Sequence, residues 1–111
     1  MGMVARMNET EFAALADKML ARIEHALEAS GADLDFELAA GGVLEIEFAD
    51  GSKIIVNKHA IAREIWVAAR AGGFHFRYDG SAWCDTRDGE DLLVKLARLA
   101  SEQAGEPVPL A

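Results

Sequence analysis

Two spacings of apolar side chains organise this chain into helices and strands. Near the start, apolar residues recur every three or four positions, which is the period of an amphipathic helix. Asn8 followed by Glu11 predicts a capping box at the first turn, and Gly31 predicts the C-terminal end. We therefore expect a first helix over about residues 9–29, preceded by an N-terminal extension of residues 1–6.

The middle of the chain alternates apolar and polar residues with period two, which predicts strands with one face in water. Asp50-Gly51 and Asp79-Gly80 each predict a two-residue hairpin loop between such strands. Helix remains an alternative for the fourth of these segments. The predicted strands cover residues 34–38, 44–48, 53–57, 64–68, 74–78 and 81–84.

A second helix is predicted near the C-terminus, where leucines recur at helical spacing. Asp88 is the expected N-cap and Gly105 the expected end. The tail beyond it contains Pro107 and Pro109, so it cannot be helical but can lie over the core. This order of elements predicts an α+β two-layer sandwich, in which two helices pack on one face of a mostly antiparallel sheet of about six strands.

The length of 111 residues and the apolar content of 51% suit one compact domain, which we place at residues 7–111. Cys84 is the single cysteine, so an internal disulfide framework is excluded and a reducing compartment is favoured. We expect the cytoplasm. No secretory signal and no apolar run long enough for a membrane helix is present, so we expect no membrane partner.

The net charge of −8 lies almost entirely in the first half of the chain. Residues 1–50 contain eleven carboxylates and three basic side chains, whereas residues 51–111 contain eight of each. One end of the domain should therefore carry a negative field that attracts cations or basic proteins. The same field disfavours nucleic acid as a partner.

Three of these carboxylates share one side of the first helix. At 100° per residue, Asp17, Glu24 and Glu28 fall within about 40° of one another on the solvent side. Exposed carboxylates without Cys or paired His suit hard or borderline cations and hold them weakly. The alternative is a solvated helix face with no ligand, and no spacing matches an EF-hand loop or a zinc site.

Alternation also predicts what the uncovered face of the sheet carries. If the apolar positions face the helices, then Trp66 and Asn57 face water, with Glu45 and Glu47 beyond them. An exposed Trp supplies a large contact area and is enriched in binding hot spots, which indicates a docking patch. A register shift of one residue would instead place Trp66 in the core.

The second predicted hairpin offers another candidate site. A two-residue Asp79-Gly80 loop would place His75 opposite Cys84, as half of a soft-metal site, as a Cys/His catalytic pair, or as chance neighbours. The same register would pair Phe76 with Trp83 on the core side. No third ligand or orienting carboxylate can be assigned to the first pair.

Several segments occur in the order and spacing of the frataxin family. The interval from Asn57 to Trp66 and the Gly-Gly-Phe-His-Phe run that follows are specific in combination. From residue 7 to its end, the chain resembles this family in its bacterial branch. The segments are residues 7–12, 41–44, 51–57, 65–68 and 72–76.

The resemblance implies the sandwich described above and a non-enzymatic role as an iron-binding regulator of iron–sulfur cluster assembly. It implies an acidic ridge on the first helix and first strand, which binds Fe²⁺ or Fe³⁺ weakly and exchangeably at the surface. By position in this sequence, the acidic ridge consists of Asp17, Glu24, Glu28, Asp33, Asp35 and Glu37.

The resemblance also implies a docking surface on the open sheet, with a cysteine desulfurase as the principal partner and the iron–sulfur scaffold protein as the second. We expect the protein to act as a monomer. Two other functions stay open: an iron-oxidising or iron-storage protein, and an adaptor that binds metal only incidentally. By position, the docking surface consists of Asn57, His59, Ile65 and Trp66, with Glu45 and Glu47 on the same sheet.

Overall fold

The computed structural model describes residues 7–110 as two helices and one six-stranded antiparallel sheet. The strands follow one another in chain order across the sheet, so every sheet connection is a hairpin. The predicted N-terminal extension, residues 1–6, lies outside the described residues. The elements are α1 (Glu9–Ser30), β1 (Leu34–Ala39), β2 (Val43–Phe48), β3 (Lys53–His59), β4 (Glu64–Ala69), β5 (Gly72–Tyr78), β6 (Trp83–Asp85) and α2 (Leu92–Ala104).

The predicted capping of α1 is confirmed at both ends. The Asn8 side chain accepts a hydrogen bond from the Glu11 backbone N–H at 2.7 Å, and the Glu11 carboxylate accepts one from the Asn8 N–H at 3.0 Å. Gly31 follows the helix with φ 69°, a left-handed conformation that glycine adopts without strain. These local signals fix where the acidic face of α1 begins and ends.

The core lies between the helices and one face of the sheet, as the period-two pattern predicts. Trp83 packs at its centre, edge-on to Phe12 of α1 with ring centroids 6.0 Å apart. The C-terminal tail covers this core, since Val108 and Leu110 are both buried. The other buried apolar residues are Ala16, Leu20, Ile23, Leu27, Leu44, Ile46, Phe48, Ile54, Val56, Ile65, Val67, Phe76, Leu92, Leu93, Leu96, Leu99 and Ala100.

The fourth segment is a strand, and its helical alternative is excluded because β4 pairs with both β3 and β5. Ile65 and Val67 face the core, so Trp66 between them lies on the open face. The alternative register, with Trp66 in the core, is therefore wrong. Within residues 7–110, no helix is long and apolar enough to cross a membrane.

The loop of the first hairpin has three residues, one more than predicted. The Phe48 N–H donates to the Ser52 carbonyl at 2.8 Å, and the Gly51 N–H donates to the Phe48 carbonyl at 2.9 Å. Gly51 has φ 86°, which supplies the left-handed residue that closes a three-residue loop. The hairpin itself is confirmed, but its turn starts one residue earlier than Asp50.

The turn of the second hairpin is displaced by one residue in the other direction. The Asp79 N–H donates to the Ala82 carbonyl at 2.9 Å, so Gly80 and Ser81 form the loop. The Asp79 side chain accepts from the backbone N–H groups of Ser81 and Ala82. These hydrogen bonds lower the pKa of Asp79 to about 2. They also fix Asp79 as the last residue before the two-residue loop, not as a residue of the loop.

The displaced turn changes which residues meet across β5 and β6. Tyr78 lies opposite Trp83, with ring centroids 5.3 Å apart. The predicted pairings of His75 with Cys84 and of Phe76 with Trp83 are therefore wrong. In the observed register Cys84 lies opposite Arg77, so His75 and Cys84 do not face each other as a Cys/His pair requires.

The N-cap of α2 is Asp91, and the prediction of Asp88 is wrong. The Asp91 carboxylate accepts hydrogen bonds from the N–H groups of Leu93 and Val94 at 2.9 and 3.2 Å. Asp88 instead lies in the preceding turn, where its carboxylate is 2.9 Å from the ammonium of Lys95. An N-cap needs a side-chain acceptor on the residue just before the helix, and Asp91 has that position.

Lys95 is a buried cation that the helical pattern does not reveal. Only 3% of its surface is exposed, and its ammonium lies 2.6 Å from the buried Asp85 carboxylate. Glu90 approaches at 3.5 Å, and the Phe74 ring centroid is 5.0 Å away. This cluster ties the turn after β6 to the first turns of α2 and completes the core at that end.

Candidate functional site

Four carboxylates meet on the open face of β1 and β2. The strand register places Asp35 directly opposite Glu47, and Glu37 directly opposite Glu45. We call these four residues the acidic quartet. Like charges directly opposite on a sheet repel one another. Among the ion pairs of the described residues, only one involves the quartet, namely that of Lys53 with Glu45 at 3.0 Å. The arrangement leaves a concentrated negative charge at one edge of the sheet.

The helical part of the acidic ridge is not uniform. Asp17 forms an ion pair with Lys58 of β3 at 2.6 Å, so its charge is compensated within the protein. Gly42 leaves room for the Lys58 side chain in this conformation, since a Cβ at that position would lie against it. Within residues 7–110, no ion pair involves Glu24 or Glu28, which lie nearer the end of α1.

Asp33 follows α1 and joins the helical and strand parts of the acidic ridge. Its backbone N–H donates to the carboxylate of Glu106 in the C-terminal tail at 3.2 Å. The tail thereby brings another carboxylate to the exposed end of the ridge, beside residues more than seventy positions earlier in the chain. Helical and strand periodicity cannot identify Glu106, because its position depends on how the tail crosses the core.

The ridge carboxylates form a surface rather than a closed metal cage. In the part of the chain that the structure describes, no three or more His, Cys, Asp or Glu side chains are grouped so that they could hold one metal ion. Exposed, separated carboxylates bind cations through one or two ligands plus water, with modest affinity. A closed cage of three or more such side chains around one metal ion is therefore not part of the ridge within residues 7–110.

Trp66 is the centre of a three-ring stack on the open face. The His59 ring lies parallel to the indole at a centroid distance of 3.9 Å, and the His75 ring lies on the other side at 4.4 Å. Cross-strand pairing brings Trp66 between Asn57 and His75. The two imidazole rings cover the faces of the indole, so Trp66 is half-buried and its exposed part is the edge of the ring.

Glu64 lies at the edge of this stack and is not among the predicted docking residues, although strand alternation places it on the same face as Trp66. Its Oε1 accepts a hydrogen bond from the Trp66 indole N–H at 2.9 Å, and its Oε2 accepts one from Arg77. Burial raises the pKa of Glu64, but the hydrogen bonds from Trp66 and Arg77 outweigh burial and leave the pKa below its ordinary value. The i, i+2 spacing from Trp66 is the sequence signal that could have indicated it.

Among the predicted docking residues, Ile65 requires correction. It is completely buried and faces the helices, because neighbouring residues of a strand point to opposite faces. A partner on the open face cannot contact its side chain without unfolding the sheet. Asn57 and His59 are half-buried on the open side, and the His59 Nδ1 accepts a hydrogen bond from the Ala62 N–H at 3.3 Å.

Fold and site together define a two-layer α+β protein whose sheet presents an acidic edge and an aromatic stack on its open face. Residues 5–106 match the family model described as a Frataxin-like domain. The chain belongs to the frataxin family.

Two curated relatives share most of this chain, and both are named iron-sulfur cluster assembly protein CyaY. The relative from Dechloromonas aromatica is 70% identical over 104 residues, which cover 94% of this chain and 99% of the relative. The relative from Cupriavidus taiwanensis is 55% identical over 102 residues, which cover 89% and 92%. These matches connect the chain to the bacterial branch of the family.

Solved structures support the same fold. A frataxin from Psychromonas ingrahamii superimposes with a TM-score of 0.87 at 34% identity, covering 95% of this chain and 99% of that one. A trimeric frataxin from the yeast Saccharomyces cerevisiae has a TM-score of 0.64 at 22% identity, covering 96% and 87%. At that identity the yeast protein shows likeness of fold alone.

Proposed function

We propose that this protein is an iron-binding regulator of iron–sulfur cluster assembly. It holds Fe²⁺ or Fe³⁺ at the acidic ridge and docks on a cysteine desulfurase and its scaffold protein through the open sheet. The names of the two bacterial relatives support the pathway. The acidic quartet supports the binding of cations, and the three-ring stack supports docking on a protein partner.

The single observation that carries the proposal is the direct opposition of like charges in the acidic quartet. Such pairs cost stability, and a bound cation relieves that cost. The ridge carboxylates Glu24, Glu28 and Asp33 add further negative charge in the same half of the chain. Asp17 contributes less, because Lys58 already compensates its charge.

Docking combines long-range and short-range forces. The negative edge, with Glu45 and Glu47, steers the protein toward a basic partner surface and fixes its orientation. Trp66 then supplies contact area beside Asn57 and His59. The carboxylates therefore serve both iron and partner, so a bound cation changes the charge that the partner meets.

We propose no enzymatic role, a monomeric state and a cytoplasmic location. An iron oxidase needs several ligands that converge on one ion, and no such group occurs within residues 7–110. The monomeric state is tested by sedimentation of the purified protein with and without iron. A stable trimer under both conditions would contradict it.

The test of iron binding is an anaerobic titration with Fe²⁺, repeated with diamagnetic metal surrogates, while backbone amide signals are followed. Amides of β1, β2 and the end of α1 should respond first. The variant Asp35→Asn/Glu37→Gln should bind more weakly. Glu9→Gln is the control, because it removes a carboxylate from the first turn of α1, about 22 Å along the helix from Glu24. Perturbation centred on His75 and Cys84 would overturn the ridge assignment.

A further inference from the structure

Glu64 is a buried carboxylate on the water-facing side of the sheet. Only 6% of its surface is exposed, although its strand neighbours on that face, Trp66 among them, are in contact with solvent. Carboxylates are rarely buried unless their charge is paired and hydrogen-bonded. The position of Glu64 therefore requires a reason that lies in its partners.

Both oxygens of Glu64 are occupied by different partners. Oε1 accepts from the Trp66 indole N–H at 2.9 Å, and Oε2 accepts from the Arg77 guanidinium. His75 approaches Oε1 at 3.6 Å through its Nδ1. Arg77 is largely exposed, so its guanidinium contacts the carboxylate from the solvent side. The other oxygen of the carboxylate is left to accept the indole N–H.

We infer that Glu64 is a positioning residue of the docking surface, which fixes the Trp66 ring in the three-ring stack before any partner arrives. The inference rests on the proposed docking through Trp66. Without Glu64, the indole would lose its only hydrogen-bond partner among the described residues and could occupy other rotamers. A side chain already ordered in the free protein loses less freedom on binding.

The stack and the hydrogen bond restrain the indole in complementary ways. His59 and His75 confine the two faces of the ring, yet parallel rings can slide and rotate over one another. The ring can still slide or flip about its side-chain torsions within the stack, and a charge-assisted hydrogen bond from the indole N–H selects one of these orientations. Glu64 therefore fixes the orientation of the Trp66 indole within the stack.

Two variants of Glu64 separate its roles. Glu64→Gln keeps an oxygen that can accept from the indole, whereas Glu64→Leu keeps a similar volume without any acceptor. Glu64→Leu leaves Arg77 able to rehydrate, because the guanidinium is already largely exposed. The amide spectrum and melting temperature of each variant establish that it is folded before binding is measured.

The indole signals report positioning directly. The chain contains two tryptophans, so the indole N–H region of a ¹H–¹⁵N spectrum holds two signals, and Trp83 is the internal reference. Glu64→Leu should shift the Trp66 signal and speed its exchange with solvent, while the Trp83 signal stays in place. Glu64→Gln should remain closer to the wild type. An unchanged Trp66 signal in Glu64→Leu would overturn the inference.

Affinity for the desulfurase–scaffold complex then shows whether positioning matters for docking. Glu64→Leu should bind about three- to tenfold more weakly, as expected for one side chain that must be ordered on binding. In a Trp66→Ala background the same substitution should have no further effect. Equal weakening in both backgrounds would show that Glu64 contacts the partner itself, which overturns the inference and leaves docking intact.

The proposed docking can fail separately. If Trp66→Ala alone leaves the affinity unchanged, docking through Trp66 is overturned, and with it the role of Glu64 in docking. The indole spectrum still reports in that case whether Glu64 orients the ring.

Discussion

At the scale of single residues, Trp66 shows how far alternation can predict a site. Period two places it correctly on the open face, because Ile65 and Val67 supply the core. It does not predict the stack with His59 and His75, which depends on the register of three strands and on side-chain rotamers. An isolated exposed indole is therefore the wrong description, and replacing Trp66 should affect folding as well as binding.

Trp66→Ala should lower the free energy of unfolding by about 1–2 kcal/mol, since it removes two ring contacts and one indole hydrogen bond without opening a core cavity. Trp83→Ala should cost about 3–5 kcal/mol, because Trp83 is buried against Phe12 and Tyr78. Urea denaturation of both variants measures the difference. Equal losses would mean that the open-face stack carries as much folding energy as the core.

At the scale of secondary-structure elements, the junction of β6 and α2 depends on one buried lysine. Helical periodicity predicts α2 and its apolar side, but it treats Lys95 as an ordinary surface residue. Its carboxylate partners Asp85 and Asp88 lie seven to ten positions earlier, in a turn whose shape periodicity does not specify. The same gap explains why Asp88 is predicted as a cap while Asp91 performs that role.

Lys95→Met should destabilise the protein by about 3–5 kcal/mol, since it leaves the buried Asp85 carboxylate without its cation. Lys18→Met makes the same change of charge on the exposed side of α1 and should stay within about 0.5 kcal/mol of the wild type. Chemical denaturation at pH 7 measures both. A small effect of Lys95→Met would show that the cluster contributes little to folding.

The pH dependence of stability in the wild type and in Lys95→Met gives a further test. Burial raises the pKa of Asp85, but the hydrogen bond and ion pair with Lys95 outweigh burial and leave its pKa below the ordinary value. In the wild type, the contribution of Asp85 to stability is thus present above about pH 4 and lost as the pH falls through the depressed pKa.

In Lys95→Met, burial and the nearby Asp88 charge should outweigh the remaining hydrogen bond from the Arg87 N–H and raise the pKa of Asp85 above its ordinary value. The penalty for the buried charge should then fade as the pH falls from 7 toward 4, because Asp85 takes up a proton. The stability difference between the two proteins should shrink over that range. A constant difference would show that Asp85 does not titrate as this geometry requires.

At the scale of the whole molecule, the order of elements, the covered face and the open face could be predicted from apolar periodicity. The membership of the site could be predicted only in part. The compensation of Asp17 by Lys58 joins residues 41 positions apart, and the opposition of Asp35 to Glu47 depends on strand register. The sequence shows which residues are charged, but only the folded structure shows which of these charges are paired and which lie opposite a like charge.

The one-sided charge should itself limit stability. Added salt or divalent cations should raise the melting temperature of the wild type, by about 4 °C for each kcal/mol of repulsion relieved. The gain should be smaller for a variant with Asp33→Asn, Asp35→Asn and Glu37→Gln. Thermal melts at several salt concentrations compare the two. Equal responses would show that these three charges are too dispersed to repel one another.

The central claim is that the open face of the sheet docks on the iron–sulfur assembly machinery through Trp66. The most direct test is the affinity of the purified desulfurase–scaffold complex for Trp66→Ala, with Val94→Ala as a control that removes an exposed apolar side chain from α2. Trp66→Ala should weaken binding by about tenfold or more, and Val94→Ala should leave it unchanged. A folded Trp66→Ala protein that binds with wild-type affinity would contradict the account.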